Sequence, residues 1–285
     1  MGNDLDAYLA REEARFHDIT PGTEKRIVWA GAKGAKTPFA VVYLHGYSAT
    51  SEEIRPVPDE VARALGANLF FTRFTGHGRP GAALATATTG DWLNDTAEAL
   101  AIGKRIGERV IVISTSTGGT LAALAADDPR LAPEIDGIVF ISPNFGLHNP
   151  LAFLLNWPFV RIWGPWVGGA TQSFTPVNEA NARYWTTRYP TVATVPLAAL
   201  VRAAAGRDYA QVKIPALFLF SPQDQVVRPD ITAKIAAAWG GPKQVAHPVL
   251  TARDDALHHV IAGAILSPDQ TAPTVARILA WARGL

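Results

Sequence analysis

The sequence predicts an α/β protein built around a mostly parallel β-sheet. Short apolar runs that suit strands alternate with stretches that suit helices along most of the 285 residues. The strand segments are apolar at nearly every position, which is typical of strands buried on both faces of a sheet. Hydrophobic residues make up 48% of the chain and charged residues 18%, and this composition excludes an intrinsically disordered protein.

The predicted elements follow one another in a regular order. Residues 4–17 form the first predicted helix, because Leu5, Leu9 and Phe16 give it one apolar side. Turn-forming residues 31–38 separate the first two strands. The predicted strands cover residues 25–30, 39–44, 68–74, 109–114, 137–142, 216–221 and 244–250. The other predicted helices cover residues 57–65, 91–107, 117–126, 229–239 and 273–283. Helices that alternate with buried strands predict layers of helices packed on the sheet.

The alternation stops over residues 145–211. This segment is rich in aromatic residues and holds half of the eight tryptophans, namely Trp157, Trp163, Trp166 and Trp185. A structureless loop of this length is uncommon in a compact domain. The sequence therefore predicts a small helical insertion over residues 145–211, placed between core segments 1–144 and 212–285.

Charge and cysteine content exclude several classes of function. The net formal charge is +1, with 26 Lys and Arg residues against 25 Asp and Glu residues, and the sequence has no basic stripe. A protein that binds nucleic acid by neutralising phosphates needs such an excess, so we expect no nucleic-acid partner. The chain has no cysteine, which excludes disulfides, thiolate metal sites and a cysteine nucleophile.

The N-terminus and the most apolar stretch give no membrane signal. Residues 1–6 are polar and acidic, and they lack the positive start and apolar core of a signal peptide. Residues 151–167 contain Asn156, Arg161 and two prolines, so no apolar run of about 20 residues is present there. We expect no transmembrane segment and a cytoplasmic location, although a chain trimmed of an export segment would look the same. The sequence indicates no oligomeric state.

The first chemical signal is a serine between a predicted strand and a predicted helix. Residues 114–119 read Ser-Thr-Ser-Thr-Gly-Gly. A sharp strand-to-helix turn that exposes a serine needs small residues two positions before and after it, and Ser114 and Gly118 meet that need. Ser116 is therefore the candidate nucleophile, and the N–H of Thr117 at the helix N-terminus is a candidate oxyanion donor. Ser114 stands where the usual G-x-S-x-G pattern begins with glycine, and a plain helix cap is the alternative interpretation.

Three further segments follow predicted strands and complete an acyl-transfer site. Tyr47 lies in the turn after the strand at 39–44, where such sites take their second oxyanion N–H. Asp224 follows the strand at 216–221 and can orient a histidine, and His259 lies beyond the last strand and can act as a base. Each segment alone also fits an ordinary turn, so the hypothesis depends on their combination with Ser116.

Two other patterns have competing interpretations. His258 and His259 are adjacent and lie close to Asp254 and Asp255, but their spacing matches no recognised metal-ligand pattern, so we expect no metal. Residues 76–81 fit the G-x-G-x-x-G pattern of dinucleotide sites. Such a loop must open a helix, and the proline at its fifth position gives no clear helix start, so a structural turn is favoured.

Together these segments resemble the α/β-hydrolase superfamily, which has the chain order Ser–acid–His that Ser116, Asp224 and His259 follow. The matching segments are residues 44–47, 73–78, 114–119, 222–227 and 259–261. The chain is most similar to the bacterial carboxylesterase and monoacylglycerol-lipase-like branch, which includes serine aminopeptidase-like members. The resemblance implies an α/β-hydrolase fold: a mostly parallel eight-stranded sheet flanked by helices, with residues 145–211 as a cap. It also favours His259 over His258, because the family histidine precedes a small apolar run.

The sequence thus predicts a serine hydrolase that cleaves carboxylic esters through an acyl-enzyme, without cofactor or metal. The aromatic insertion predicts an apolar wall for a small hydrophobic ester with a short to medium acyl chain. The candidate substrate contacts are His45, Phe145, Trp157, Trp163 and Trp166. The same triad also suits amide, peptide, thioester or lactone bonds, because the fold does not choose among them. A non-catalytic binding module with this fold is the remaining hypothesis.

Overall fold

The fold is built around a seven-stranded sheet, and the structure, a computed structural model, describes residues 1–2 and 4–285. The strands in chain order are β1 (Arg26–Val28), β2 (Thr37–Leu44), β3 (Asn68–Phe71), β4 (Gly107–Thr115), β5 (Gly137–Ile141), β6 (Thr171–Ser173), β7 (Arg188–Pro190), β8 (Ala216–Leu219) and β9 (Lys243–Ala246). The order in the main sheet is β1-β3-β2-β4-β5-β8-β9. Only β1 pairs antiparallel in this sheet, so the prediction of a mostly parallel sheet is confirmed.

The number of strands differs from the eight that the resemblance implied. In the described part of the chain the main sheet has seven strands, and Leu5–Glu13 ahead of them forms helix α1. The Asp4 side chain accepts a hydrogen bond from the Ala7 N–H and caps this helix, and Leu5 and Leu9 are buried against the core. A capped helix with an apolar side therefore occupies the N-terminal segment, and β1 remains a short edge strand.

Helices cover both faces of the sheet. Those after α1 are α2 (Val57–Leu65), α3 (Gly81–Leu84), α4 (Thr89–Ile106), α5 (Thr117–Asp127), α6 (Val160–Val167), α7 (Glu179–Tyr184), α8 (Thr194–Ala205), α9 (Pro229–Ala238) and α10 (Thr271–Ala282). Alternate residues of β4 belong to two separate apolar clusters: Val110 and Val112 to one, Ile111 and Ile113 to the other. Because side chains alternate along a strand, the two clusters lie on opposite faces of the sheet.

The strand register brings the carboxyl ends of the central strands to one edge. Leu44 of β2 pairs with Ser114 of β4, and Thr115 of β4 pairs with Ile141 of β5. Ile141 in turn pairs with Leu219 of β8. The turns that follow these strands therefore begin side by side, at the edge where open α/β sheets carry their ligand sites.

The aromatic segment 145–211 has its own secondary structure. It contains α6, α7, α8, short 3₁₀ turns and a two-stranded antiparallel sheet of β6 and β7. The small sheet is an addition to the helices that the sequence predicts there. Leu197, Leu200 and other buried residues of α8 pack into the main apolar cluster. Within residues 1–2 and 4–285, no helix is long and apolar enough to cross a membrane.

Candidate active site

Ser116 lies on a sharp turn between β4 and α5. Its backbone dihedrals are φ 50° and ψ −115°, a strained conformation for a residue with a side chain. The strand and helix approach so closely that a Cβ atom on Gly118 would lie 2.0 Å from the Leu44 carbonyl oxygen. The Ser114 hydroxyl donates to the Val139 carbonyl oxygen at 2.9 Å, so this serine fits between β4 and β5 where the usual pattern has glycine.

A chain of hydrogen bonds joins Ser116, His259 and Asp224. The Ser116 hydroxyl oxygen lies 3.0 Å from His259 Nε2, and His259 Nδ1 lies 2.8 Å from Asp224 Oδ2. The network assigns the proton of the neutral ring to Nδ1, where it is donated to the carboxylate, and leaves Nε2 as the acceptor of the serine proton. The structure therefore brings together the three side chains that the sequence singled out.

Backbone N–H groups fix the Asp224 carboxylate. Its Oδ1 atom accepts hydrogen bonds from the N–H groups of Val226 at 2.8 Å and Val227 at 2.9 Å. The other oxygen, Oδ2, is left to face His259. Asp224 is therefore held in one orientation by the turn that follows β8, and that orientation selects the ring tautomer of His259.

The loop that carries His259 is held by Asp255. The Asp255 Oδ2 atom accepts from the N–H groups of His259 at 3.0 Å and Val260 at 2.9 Å. The intervening His258 adopts the left-handed conformation, with φ 57°. Among residues 1–2 and 4–285, no three His, Cys, Asp or Glu side chains are grouped so that they could hold a metal ion.

The surroundings of His259 favour its protonated form. Burial alone would lower the pKa of the imidazole. The charge of Asp224 and its hydrogen bond raise the pKa, and the nearby Glu53 and Asp255 carboxylates raise it further. The resulting pKa lies above the ordinary value for histidine, so the site stabilises the imidazolium that forms when a base accepts a proton.

The two expected oxyanion donors lie on segments that touch. Thr117 is the first residue of α5, and Tyr47 lies two residues beyond His45 in the turn after β2. A Cβ atom on Gly118 would lie 2.8 Å from the His45 carbonyl oxygen, so the turn after β2 packs against the start of α5. The insertion also reaches this turn, because the Thr186 N–H donates to the Ser48 carbonyl oxygen at 2.7 Å.

The expected substrate contacts divide between the interior and the surface. His45 is fully buried, its Nε2 accepts from the Phe74 N–H, and burial lowers its pKa to about 4, so it is neutral. Phe145 is fully buried in the main apolar cluster. Trp163 donates its indole N–H to a backbone carbonyl oxygen at 2.8 Å. Trp157 is 55% exposed and Trp166 is 89% exposed.

One charged residue of the site has no signal in the sequence analysis. Glu53 is 2% exposed and lies behind the turn after β2. Its Oε2 atom accepts from the Gly46 N–H at 2.7 Å and from the Tyr43 hydroxyl at 2.9 Å. The sequence shows only two consecutive glutamates, a pattern typical of an exposed turn. Gly46, directly before Tyr47, is the single sequence feature that could have indicated a side chain packed against the backbone of this turn.

Comparisons with known proteins agree with this architecture. Residues 35–249 match the family model described as "Serine aminopeptidase, S33". A thermostable monoacylglycerol lipase from Bacillus sp. (strain H-257) is 30% identical over 105 residues, which is 37% of this chain. The matched part spans 40% of that lipase.

Solved structures show the same fold. A structure reported with LipS and LipT, two metagenome-derived lipolytic enzymes, has a TM-score of 0.75 at 22% identity over 94% of this chain and 100% of the other. The monoacylglycerol lipase of Paleococcus ferrophilus has a TM-score of 0.64 at 16% identity, covering 90% of this chain and 98% of the other. The chain therefore has an α/β-hydrolase fold and belongs to the family described as "Serine aminopeptidase, S33".

Proposed function

We propose that the protein is a serine esterase that cleaves carboxylic esters through an acyl-enzyme. The observation that carries the proposal is the hydrogen-bond chain from Asp224 through His259 to Ser116, at 2.8 Å and 3.0 Å. A nucleophile, a base and a group that orients the base, all within hydrogen-bond distance, form the arrangement needed for nucleophilic catalysis. The strained turn at Ser116 adds support, because strain is stored where a mechanism uses it.

In the proposed reaction His259 Nε2 accepts the Ser116 proton while the serine oxygen attacks the ester carbonyl. The oxyanion that forms accepts hydrogen bonds from the N–H groups of Tyr47 and Thr117, helped by the N-terminus of α5. The tetrahedral intermediate collapses, His259 gives its proton to the leaving alkoxide, and an alcohol departs. Water then attacks the acyl-enzyme and gives a proton to His259, and His259 returns that proton to the Ser116 oxygen as the carboxylic acid leaves.

For the substrate we propose a hydrophobic ester with a short to medium acyl chain. Residues 145–211 form the proposed cap, and exposed apolar side chains are concentrated in its first part: Leu151, Phe153, Trp157, Phe159, Ile162, Trp166 and Val167. Such side chains suit an apolar wall or entrance for an acyl chain. The similar proteins from Bacillus sp. and Paleococcus ferrophilus are named monoacylglycerol lipases, which agrees with this substrate class. Rates that fall steadily from acetyl to octanoyl esters would contradict the proposal.

The first test is hydrolysis of p-nitrophenyl butyrate by the wild-type chain and three variants. We expect Ser116→Ala to lower kcat about 10³-fold or more, since the residual rate comes from binding and oxyanion contacts alone. His259→Asn should act in the same way. His258→Asn is its matched control, because asparagine tolerates the left-handed backbone found there. If His258→Asn loses activity and His259→Asn keeps it, the base is assigned to the wrong histidine.

Peptide hydrolysis is the second candidate, because the matched family model is that of a serine aminopeptidase. An aminopeptidase has to hold the free amine of its substrate, and carboxylates are suitable partners for it. Residues 145–211 contain only two acidic residues, Glu179 and Asp208, and this favours esters. Comparing alanine p-nitroanilide with p-nitrophenyl butyrate separates the two candidates. Labelling of Ser116 by a fluorophosphonate, without hydrolysis of either compound, would leave the nucleophile in place and refute the proposed substrate class.

A further inference from the structure

We propose that Glu53 is a positioning residue that fixes the oxyanion turn and whose negative charge stabilises the imidazolium of His259. The inference rests on the proposed function and deepens it, because it adds a second buried carboxylate to the one supplied by Asp224. Glu53 is 2% exposed, and a buried carboxylate persists only where it is paired or hydrogen-bonded. Three sets of contacts connect Glu53 or its neighbours to the turn after β2, to the end of β4 and to the loop that carries His259.

The first connection is to the oxyanion turn. Glu53 Oε2 accepts the Gly46 N–H at 2.7 Å, and Gly46 immediately precedes Tyr47. The approach leaves no room for a side chain, since a Cβ atom on Gly46 would lie 2.5 Å from Glu53 Oε1. A hydrogen bond from a backbone N–H to a buried carboxylate is short and strong. It therefore holds the peptide that leads into the proposed oxyanion donor.

The second connection is to the strand that carries the nucleophile. The Tyr43 hydroxyl donates to Glu53 Oε2 at 2.9 Å and lies 3.2 Å from the Thr115 hydroxyl. Since the tyrosine proton points to the carboxylate, the Thr115 hydroxyl is the donor in the second contact. Thr115 immediately precedes Ser116. The Tyr43 hydroxyl thus links the Glu53 carboxylate to the last residue of β4.

The third connection is to the histidine loop. The Ala264 N–H donates to the Arg55 carbonyl oxygen at 2.9 Å, and the Ile54 backbone packs directly against Gly263. The segment that carries Glu53 therefore lies against the chain that follows His259. The two segments lie side by side, and opposite charges on Glu53 and His259 favour each other when the ring is protonated.

The protonation of Glu53 and His259 is linked. Burial raises the pKa of Glu53 to about 7, although the Gly46 N–H, the Tyr43 hydroxyl and the charge of His259 each lower it. Besides Glu53, the carboxylates of Asp224 and Asp255 act on the ring. Ionised Glu53 favours the charged ring and the charged ring favours ionised Glu53, so the protonation of each group shifts that of the other.

The test compares Glu53→Gln, Glu53→Asp and the control Glu52→Gln in p-nitrophenyl butyrate hydrolysis between pH 5 and 9. Glu52 is the neighbouring carboxylate, and it pairs with Arg26 and Arg55 away from the site. We expect Glu53→Gln to move the acid limb of kcat/KM to lower pH by about half a unit or more, because a charge that raised the pKa of His259 is gone. We also expect kcat at pH 8 to fall about 10-fold with KM little changed, since an oxyanion turn acts in the transition state.

The conservative variant separates charge from shape. Glu53→Asp keeps the charge but shortens the side chain, so its acid limb should stay near that of the wild type while kcat falls. Glu52→Gln should leave both kcat and the acid limb unchanged. An acid limb that stays in place in Glu53→Gln, or that moves as far in Glu52→Gln, overturns the proposal and leaves Glu53 as a purely structural residue.

A measurement without substrate keeps this inference separate from the proposed function. The His259 ring is titrated by NMR in ¹⁵N-histidine-labelled wild type and Glu53→Gln, with His259→Asn to assign the signal. We expect a lower His259 pKa in Glu53→Gln even if the protein hydrolyses no ester, and equal values would refute the inference. If Glu53→Gln does not fold, the pH titration of the His259 ring signal in the wild type decides. A second inflection of the His259 signal near pH 7 from Glu53 supports the inference, and a single inflection overturns it.

Discussion

Replacing Asp224 by asparagine should reverse the hydrogen-bond direction at His259. Asp224 Oδ1 already accepts two backbone N–H groups, from Val226 and Val227, and Oδ2 accepts from the ring at Nδ1. In Asp224→Asn the amide oxygen must take the place of Oδ1, because the amide NH₂ would otherwise face two donors. The NH₂ then points to Nδ1 and forces the ring proton onto Nε2. In that tautomer the ring cannot accept the Ser116 proton.

The size of the activity loss expected for Asp224→Asn follows from the same contacts. Turning the amide over leaves two backbone N–H groups without acceptors, at about 1–3 kcal/mol each, so the inactive tautomer is favoured by at least about 2 kcal/mol. Loss of the carboxylate also removes the charge that stabilises the imidazolium. For triads of this kind the combined loss is about 10⁴-fold in kcat, or about 5 kcal/mol of transition-state stabilisation.

The assay is the kcat of p-nitrophenyl butyrate hydrolysis for the wild type, Asp224→Asn and the control Asp230→Asn. Asp230 is an exposed carboxylate six residues further on that pairs with Arg228 at 2.7 Å, so its replacement should change kcat less than 2-fold. Circular dichroism and the urea midpoint verify that each variant is folded. A folded Asp224→Asn variant that keeps more than a tenth of the wild-type kcat would refute the assigned role of Asp224.

The remaining predictions concern pH, packing and the insertion. The acid limb of wild-type kcat/KM should have its midpoint above pH 6.5, because the pKa of His259 is raised and only the neutral ring accepts a proton. A midpoint near pH 5 would contradict this. Gly118→Ala should lower the free energy of unfolding, measured in urea, by about 3 kcal/mol, because its Cβ would lie 2.0 Å from a carbonyl oxygen. The control Gly31→Ala, whose Cβ would have nothing within 4 Å, should change that free energy little. Phe145→Ala should destabilise the protein by about 3–5 kcal/mol because the ring is fully buried. Trp166→Ala, at an 89% exposed position, should change stability by less than about 0.5 kcal/mol.

The strands and the grouping of Ser116, Asp224 and His259 could be predicted because their signals are local. The predicted strands overlap all seven strands of the sheet, and the residues shortly after them include Ser116 and the turn of Asp224. The ends of the strands were predicted less accurately than their positions in the chain. The strand predicted over residues 68–74 ends at Phe71, and the one predicted over 244–250 ends at Ala246. A strand ends where its partner stops pairing, and that depends on the neighbouring strand rather than on its own sequence.

The features that could not be predicted depend on distant residues. The pairing of β6 with β7 joins segments with no strand-like run, and the packing of α8 into the main cluster needs surfaces supplied by other elements. The depth at which a side chain lies is equally non-local: His45 and Phe145, two of the predicted substrate contacts, are both fully buried by residues elsewhere in the chain.

Glu52 and Glu53 show why the reacting atoms are easier to predict than their environment. The two residues are identical and adjacent, yet Glu52 pairs with Arg26 and Arg55 near the surface, whereas Glu53 is buried behind the oxyanion turn. Chemistry restricts the residue types that can serve as nucleophile, base and acid, so those positions leave a pattern in the sequence. The pKa of the base depends on every charge within reach, and a carboxylate can arrive there from any part of the chain. Under the proposed function, the pH at which this site works is therefore set by packing as much as by Ser116, His259 and Asp224.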